Sequence, residues 1–193
     1  MLSLFFLSAC ADLSIVEDDI DLAVQTWCSP NKDIAVSSVY DGDTFTYIED
    51  GEDTKIRMLG VAAPEVADPP ECYGEQAGAF LRELVLYEDV RLEFDVETGN
   101  EDNPCADIYN RTLAWVILEG NDPDIAEWMG LYEMQGLNED GSYQLLVNEL
   151  LVRMGYARVF QGEVDKSIRY RTRMEDAEEA AEEDFLGLWL VCE

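Results

Sequence analysis

The side chains of this sequence that could do chemistry are carboxylates and arginines, because the chain contains no histidine. That absence excludes Ser-His-Asp and Cys-His nucleophile systems, an imidazole general base and His-ligated zinc. Asp41 and Asp43 lie in an Asp-Gly-Asp-Thr turn sequence, Arg57 and Glu65 follow them, and Arg111 lies much further along the chain. If the fold brings these groups together, guanidinium groups would bind an anion such as a phosphate, while carboxylates would hold a hard cation or activate water.

The elements that must position these residues are mainly strands. β-branched or alternating apolar stretches, separated by turn sequences, predict five strands: Ile34–Tyr40, Thr44–Ile48, Thr54–Val61, Val90–Val96 and Thr112–Leu118. The spacing of apolar residues predicts three main helices: Gly74–Tyr87, Tyr143–Met154 and about 165–185. We therefore expect an α+β fold that is mainly β, a five-stranded Greek-key barrel of the OB type with about three flanking helices.

An acidic segment at about 121–143 follows the fifth predicted strand and contains no lysine or arginine. Asp122 can cap a short helix with Pro123 at its first position and Gly130 at its end. This segment is either a surface insertion that packs Trp128 on the core or a binding site.

The charge of the chain is strongly negative, with 43 Asp and Glu against 12 Lys and Arg and a net charge of −31. Such a surface repels nucleic acid unless cations are concentrated at one place. Six cations lie close together in the sequence, and they are either a track for a phosphate backbone or partners for the acids that follow them: Arg153, Arg158, Lys166, Arg169, Arg171 and Arg173.

The N-terminus predicts export. Residues 1–9 are apolar but too few to span a bilayer, and Leu7-Ser8-Ala9-Cys10 resembles the lipobox of bacterial lipoproteins, in which the cysteine is acylated. No basic residue precedes it, so the alternatives are a start further upstream or a simple apolar tail. Residues 11–27 form an acidic tether, which leaves 28–193 as the folded domain. We expect a lipoprotein of the bacterial cell envelope or a secreted protein.

The cysteines other than Cys10 are even in number, which suits two disulfides in an oxidising compartment. Three pairings are possible. We favour Cys28–Cys192, which joins the domain ends, with Cys72–Cys105, which joins two loops; four unpaired thiols are the alternative.

Taken together, several stretches resemble the staphylococcal nuclease (thermonuclease) family over about 34–190, with the 121–143 segment as an addition. They are VYDGDTFTY, IRMLGVAAPE, ECYGEQAGAFLRELV, VRLEFDVE, DIYNRTLAWV, LVRMGYARV and a final LGLW. The resemblance implies an OB-type barrel and calcium-dependent hydrolysis of DNA and RNA phosphodiester bonds. We expect a monomer that touches a membrane only through a lipid at Cys10.

The residue roles agree with the chemistry of phosphodiester cleavage. Arg57 and Arg111 would bind the phosphate oxygens, and Glu65 would orient or deprotonate the attacking water. Asp43 would hold calcium together with the backbone carbonyl of Ala63. By the resemblance, Tyr109 would pack beside the base or sugar of the substrate.

One departure concerns the metal. The family pattern has a second carboxylate at the position of Ala62, and its loss should weaken calcium binding. The site is then an active enzyme with weak calcium affinity, a site in which Asp41 or Asp68 replaces the ligand, or an inactive relative that serves as a noncatalytic binding module at the cell envelope. Asn110, where the family usually has glycine, is a milder change because asparagine tolerates a positive φ.

Overall fold

The computed structural model describes residues 31–95, 103, 105–162 and 169–192. The predicted leader with Cys10, the acidic tether and Cys28 lie outside the described residues. Within those ranges, no helix is both long enough and apolar enough to cross a membrane. The elements in chain order are β1 (Lys32–Val39), β2 (Thr44–Glu49), β3 (Glu52–Met58), β4 (Val61–Ala62), α1 (Gly74–Val85), β5 (Asp89–Glu93), β6 (Thr112–Gly120), α2 (Pro123–Leu131), β7 (Tyr143–Leu146), α3 (Val147–Arg153), β8 (Arg158–Val159), α4 (Arg171–Glu183) and α5 (Leu188–Val191).

Five strands close into a mixed β-barrel. β1, β2 and β3 form the predicted antiparallel meander, β5 pairs with β1, and β6 pairs with β5. β6 then runs parallel to β3, with Ile56 opposite Thr112, and this pairing closes the barrel. The interior is filled by side chains that are fully buried: Phe45, Ile56, Leu92 and Trp115. The predicted α+β fold with an OB-type barrel is confirmed.

Helix α1 covers the barrel with the apolar face that its sequence predicts, because Ala77, Leu81 and Leu84 are buried. It ends at Val85 rather than at Tyr87. Tyr87 has a positive φ of 68° and its N–H donates to the carbonyl of Val36, so the chain has already turned toward β5.

The third predicted strand is two strands. β3 ends at Met58, Gly60 turns the chain with a φ of 68°, and β4 then pairs with β8 instead of continuing in the barrel. Alternation over Thr54–Val61 does not reveal this change of partner, because both strands have buried apolar residues. The result places Ala62 directly opposite Arg158.

The predicted helix Tyr143–Met154 also divides. Residues 143–146 form β7, which adds to the barrel sheet with Gly120 opposite Tyr143 and Ile117 opposite Leu146. The helical part begins at Val147. The predicted helix at about 165–185 is seen as α4, and residues 163–168 lie outside the described part of the chain.

The acidic segment packs on the domain surface. Asp122 caps α2 by accepting hydrogen bonds from the N–H groups of Asp124, at 2.9 Å, and Ile125, at 3.5 Å, as predicted. The ring of Trp128 lies 6.0 Å from that of Phe80 on α1. These contacts support the interpretation of this segment as an insertion that packs on the core.

The disulfide pairing differs from the prediction. Cys72 is bonded to Cys192, so the predicted pairs Cys28–Cys192 and Cys72–Cys105 are wrong. Cys105 is also a disulfide cysteine, and its partner lies outside the described residues.

Long-range packing explains why Cys72 meets the C-terminus. Tyr73 lies beside Tyr156, with ring centroids 5.6 Å apart, and the next residue back, Gly155, accepts a hydrogen bond of 2.8 Å from the N–H of Leu188. The turn at 155–156 thus holds both the start of α1 and the start of α5. The spacing of these residues along the sequence does not predict this arrangement.

Candidate active site

The Asp41–Thr44 turn holds two buried carboxylates. Asp41 is 7% exposed and Asp43 is 6% exposed. The N–H of Asp43 donates to Asp41 Oδ1 at 3.0 Å, and the hydroxyl of Thr44 donates to Asp43 Oδ1 at 3.0 Å. Gly42 is required between them, since a Cβ there would lie 2.6 Å from the Cβ of Ala63 and 2.7 Å from that of Ala77. The turn is therefore pressed directly between α1 and the segment after β4.

Asp43 connects three parts of the barrel end. Its Oδ2 atom contacts Nη1 of Arg57 on β3 and accepts a 3.0 Å hydrogen bond from the N–H of Ala63. The β2–β3 register, with Thr44 opposite Arg57, places that guanidinium beside the turn. Nη1 is buried and makes no well-directed hydrogen bond, so its contact with Asp43 is mainly ionic.

The two carboxylates are only partly neutralised. Burial raises the pKa of Asp43 to about 6, and the negative charge of Asp41 adds to the increase, although Arg57 and the donors from Ala63 and Thr44 oppose it. One arginine therefore does not compensate the cost of burying two adjacent acids. A further positive charge at this point would stabilise the ionised form of Asp43.

Glu65 lies just after this cluster and is exposed. Its backbone is held by Glu71: the N–H of Glu65 donates to Glu71 Oε2 and the N–H of Glu71 donates to the carbonyl of Glu65, both at 2.9 Å. Gly74 allows this close approach, because a Cβ there would lie 2.5 Å from the Glu65 carbonyl oxygen. The Glu65 carboxylate itself has no hydrogen bond or ion pair within the described residues, which leaves it available to water.

Arg111 is aimed by a carboxylate that the sequence analysis missed. Asp107 Oδ2 accepts hydrogen bonds from Nε of Arg111 and also pairs with its Nη2, both at 2.7 Å, while Oδ1 accepts from the N–H groups of Tyr109 and Arg111 at 2.9 Å. Asn110 adopts a φ of 60°, as expected for asparagine at this position. The sequence offered a weak signal: an aspartate at the start of a turn often accepts a hydrogen bond from the backbone N–H two residues later.

The parallel pairing of β3 with β6 brings the two arginines to one end of the barrel. Arg57 lies opposite Leu113, two residues after Arg111. Tyr109 is 74% exposed and its ring centre is 5.4 Å from the guanidinium carbon of Arg111. The structure thus brings Asp41, Asp43, Arg57 and Ala63 into contact and places Arg111 immediately before the adjacent strand, β6.

This geometry agrees with the comparisons with known proteins. A family model described as "Staphylococcal nuclease homologue" matches residues 55–191. The chain belongs to the staphylococcal nuclease family. It is 31% identical to a thermonuclease of Staphylococcus intermedius over 158 residues, which cover 80% of this chain and 74% of that protein. It is also 28% identical to Endonuclease YncB of Bacillus subtilis over 159 residues, which cover 81% of this chain and 61% of the relative.

The donor atoms in this member of the staphylococcal nuclease family fit calcium in type but are few. Asp41 and Asp43 offer hard carboxylate oxygens, and the Ala63 carbonyl belongs to the same cluster. Ala62 provides none, and within the described residues no group of three or more acidic or cysteine side chains could hold a metal ion. Asp68 is exposed on the segment after Glu65, and among the described residues it forms no three-carboxylate group with Asp41 and Asp43. The donor atoms therefore suit a hard cation in type and include two carboxylates, Asp41 and Asp43.

Proposed function

We propose that this protein hydrolyses phosphodiester bonds of DNA and RNA with the help of calcium. The observation that carries the proposal is the barrel-end cluster in which Asp43 contacts both Arg57 and Ala63, with Arg111 just before the adjacent strand β6 and the exposed Glu65 just beyond Ala63. The chain also belongs to a family that includes proteins named thermonuclease and endonuclease, which supports nuclease activity.

The chain's own residues would bind and orient the reacting groups. Asp43 holds Arg57, and Asp107 holds Arg111, so that both guanidinium groups are positioned before substrate arrives. Their remaining N–H groups would bind nonbridging phosphate oxygens, where negative charge grows during attack. Glu65 would orient a water molecule and accept its proton.

Calcium, when bound by Asp43, Asp41 and the Ala63 carbonyl, would supply additional positive charge at the phosphate. Protein calcium sites have dissociation constants from about nanomolar to about millimolar, depending on the charge and number of their ligands. Because Ala62 lacks a carboxylate, we propose that half-maximal activity requires calcium near the millimolar end of that range.

The compartment is a further part of the proposal. The Cys72–Cys192 disulfide supports an oxidising environment, as expected for an exported protein. We propose a bacterial envelope lipoprotein anchored at Cys10, or a secreted form, that acts as a monomer.

A noncatalytic binding module is the second candidate, and Ala62 favours it. This candidate gains support from a groove of about 540 Å³ between α1 and the insertion, where Trp128 and Phe80 are flanked by carboxylates such as Glu83 and Asp124. A module of this kind would keep the barrel and lose hydrolysis.

The two candidates are separated by a nuclease assay. Purified protein is mixed with single-stranded DNA while calcium is raised from micromolar to tens of millimolar, and a chelator is added at the end. We expect hydrolysis that requires calcium, and a rate at least about a hundredfold lower for Glu65→Gln.

Glu75→Gln is the matched control, because Glu75 is an exposed glutamate in the first turn of α1 and has no part in the site. Equal activity of Glu65→Gln and Glu75→Gln would refute the role of Glu65. No hydrolysis at any calcium concentration would leave the binding module as the function.

A further inference from the structure

The cations of this acidic protein differ in whether a carboxylate neutralises them. In the described residues, every lysine and arginine apart from Lys55, Arg82 and Arg158 forms an ion pair with an acidic side chain. Arg82 donates to the carbonyl of Val39 and so binds α1 to β1. Lys55 and Arg158 are exposed, and among the described residues their charged groups lie against the rings of Tyr40 and Trp189.

Both of these cations lie beside the candidate active site. Lys55 precedes Arg57 by two residues on β3, and strand alternation places both side chains on the outer face, about 7 Å apart along the strand. Its ammonium group lies 6.0 Å from the ring centre of Tyr40, the residue before Asp41. Tyr40 is 66% exposed.

Arg158 lies on another flank of the same cluster. It is opposite Ala62 in the β4–β8 pair, and the next residue, Ala63, donates its N–H to Asp43. The guanidinium carbon of Arg158 lies 4.0 Å from the ring centre of Trp189, a stacking that fixes the side chain without neutralising it. Lys55 is thus close to Arg57 and Arg158 is close to Ala63, and both Arg57 and Ala63 contact Asp43.

We propose that Lys55 and Arg158 each bind a backbone phosphate next to the scissile one. The inference rests on the proposed function and names two further substrate-binding residues of that site. A surface with a net charge of −31 repels a polyanion, so unneutralised cations at the site are the groups that can hold it there. The adjoining rings of Tyr40 and Trp189 add surfaces on which bases can stack.

The test measures binding of a fluorescent oligothymidylate of about 12 nucleotides, by anisotropy, with calcium chelated so that no hydrolysis occurs. Lys55→Gln, Arg158→Gln and the double variant are compared at several salt concentrations. We expect Kd to rise about threefold for each substitution at low salt. The slope of log K against log salt should become shallower by about 1.4 in the double variant, since each phosphate contact on a single strand contributes about 0.7.

Two further variants serve as controls. Lys32→Gln removes the same charge from a lysine that pairs with Glu49, and its binding should equal that of wild type. Arg158→Lys keeps the charge and should keep the salt slope. A double variant that binds like Lys32→Gln, or a wild-type slope near zero, would overturn the inference.

Kinetics with a dinucleotide and with the oligonucleotide separate this inference from the proposed catalysis. With calcium present, the double variant should show a higher KM for the oligonucleotide and an unchanged kcat/KM for the dinucleotide. Oligonucleotide binding that depends on Lys55 and Arg158 in a protein that hydrolyses neither substrate would refute the catalysis and support the inference. Hydrolysis of both substrates with wild-type kinetics in the double variant would support the catalysis and refute the inference.

Discussion

The arginines of the C-terminal region and those of the barrel end contact different kinds of partner. In the C-terminal region, Arg153 pairs with Asp184 at the C-cap of α4, Arg169 with Glu93 on β5, and Arg173 with Glu149 on α3. At the barrel end, Arg57 pairs with a carboxylate that is itself a candidate metal ligand, and Arg111 pairs within its own turn. Arg158 has no acidic partner among the described residues and stacks on Trp189.

This difference decides between two interpretations of the sequence. The sequence allows the cations of residues 153–173 to be either a binding track for phosphates or partners of nearby acids. The structure pairs four of them with carboxylates: Arg153, Arg169, Arg171 and Arg173. Lys166 lies outside the described residues. A paired guanidinium that joins two elements stabilises the fold, whereas one held at the barrel end can bind an added anion. Clustering of cations in a sequence does not by itself predict a phosphate-binding surface.

The largest expected effect concerns the covalent link between the two regions. In the loop-entropy model, removing Cys72–Cys192, which closes 120 residues of chain, lowers the free energy of unfolding by about 5 kcal/mol. Guanidinium denaturation of the Cys72→Ser/Cys192→Ser double variant measures this loss.

Peptide mapping without reductant checks the same link. It should recover Cys72–Cys192. A bridge between Cys72 and Cys105 would contradict the described pairing.

The second prediction compares the arginines directly. Arg57→Lys and Arg111→Lys keep the charge but lose the planar fork that matches a phosphate, and each should lower kcat at least about a hundredfold. Arg173→Lys, in the C-terminal region, should leave the nuclease kinetics within about twofold of wild type. A similar loss of kcat in all three variants would break the distinction between the two regions.

The third prediction concerns the stabilising role of the C-terminal arginines. Arg173→Ala leaves the buried carboxylate of Glu149 without its ion pair and should lower the free energy of unfolding by about 2 kcal/mol at neutral pH, less than a fully buried pair because Arg173 is partly exposed. Urea denaturation measures the change. The double variant Glu149→Gln/Arg173→Ala should recover part of the loss, and no recovery would contradict this explanation.

The pH dependence of that variant has a defined sign. Burial already raises the pKa of Glu149, and Arg173 opposes this shift, so the pKa rises further in Arg173→Ala. A carboxyl with a raised pKa in the folded state loses stability as pH increases through that pKa. The difference between variant and wild type should therefore be larger at about pH 8 than at about pH 5.

The smallest expected effect concerns the missing ligand. Ala62→Asp adds a carboxylate beside the Asp43 cluster and should lower the calcium concentration for half-maximal activity about tenfold, with less change at saturating calcium. Ala62→Asn is the matched control without the charge. An unchanged calcium requirement would indicate that Asp41 already fills the position, and Asp41→Asn should then abolish activity.

Much of the fold and the site was predictable because the responsible signals are local. Alternation identifies the barrel strands, and the Asp-Gly-Asp-Thr sequence identifies the turn that carries Asp43. The errors occur where a local pattern is compatible with two partners. Tyr143–Leu146 has apolar residues that also suit a helix face, yet it forms a strand because it pairs with the edge of β6.

Sequence alone determined the barrel, the absence of imidazole chemistry and the identity of the acids and arginines that could act. These properties follow from residue type, backbone preference and period. The tertiary structure decided which arginine meets which carboxylate, that Cys72 bonds to Cys192, and that Arg158 lies opposite Ala62. Each of these contacts joins residues far apart in the chain, and their distance depends on how helices and strands pack, which no local pattern encodes.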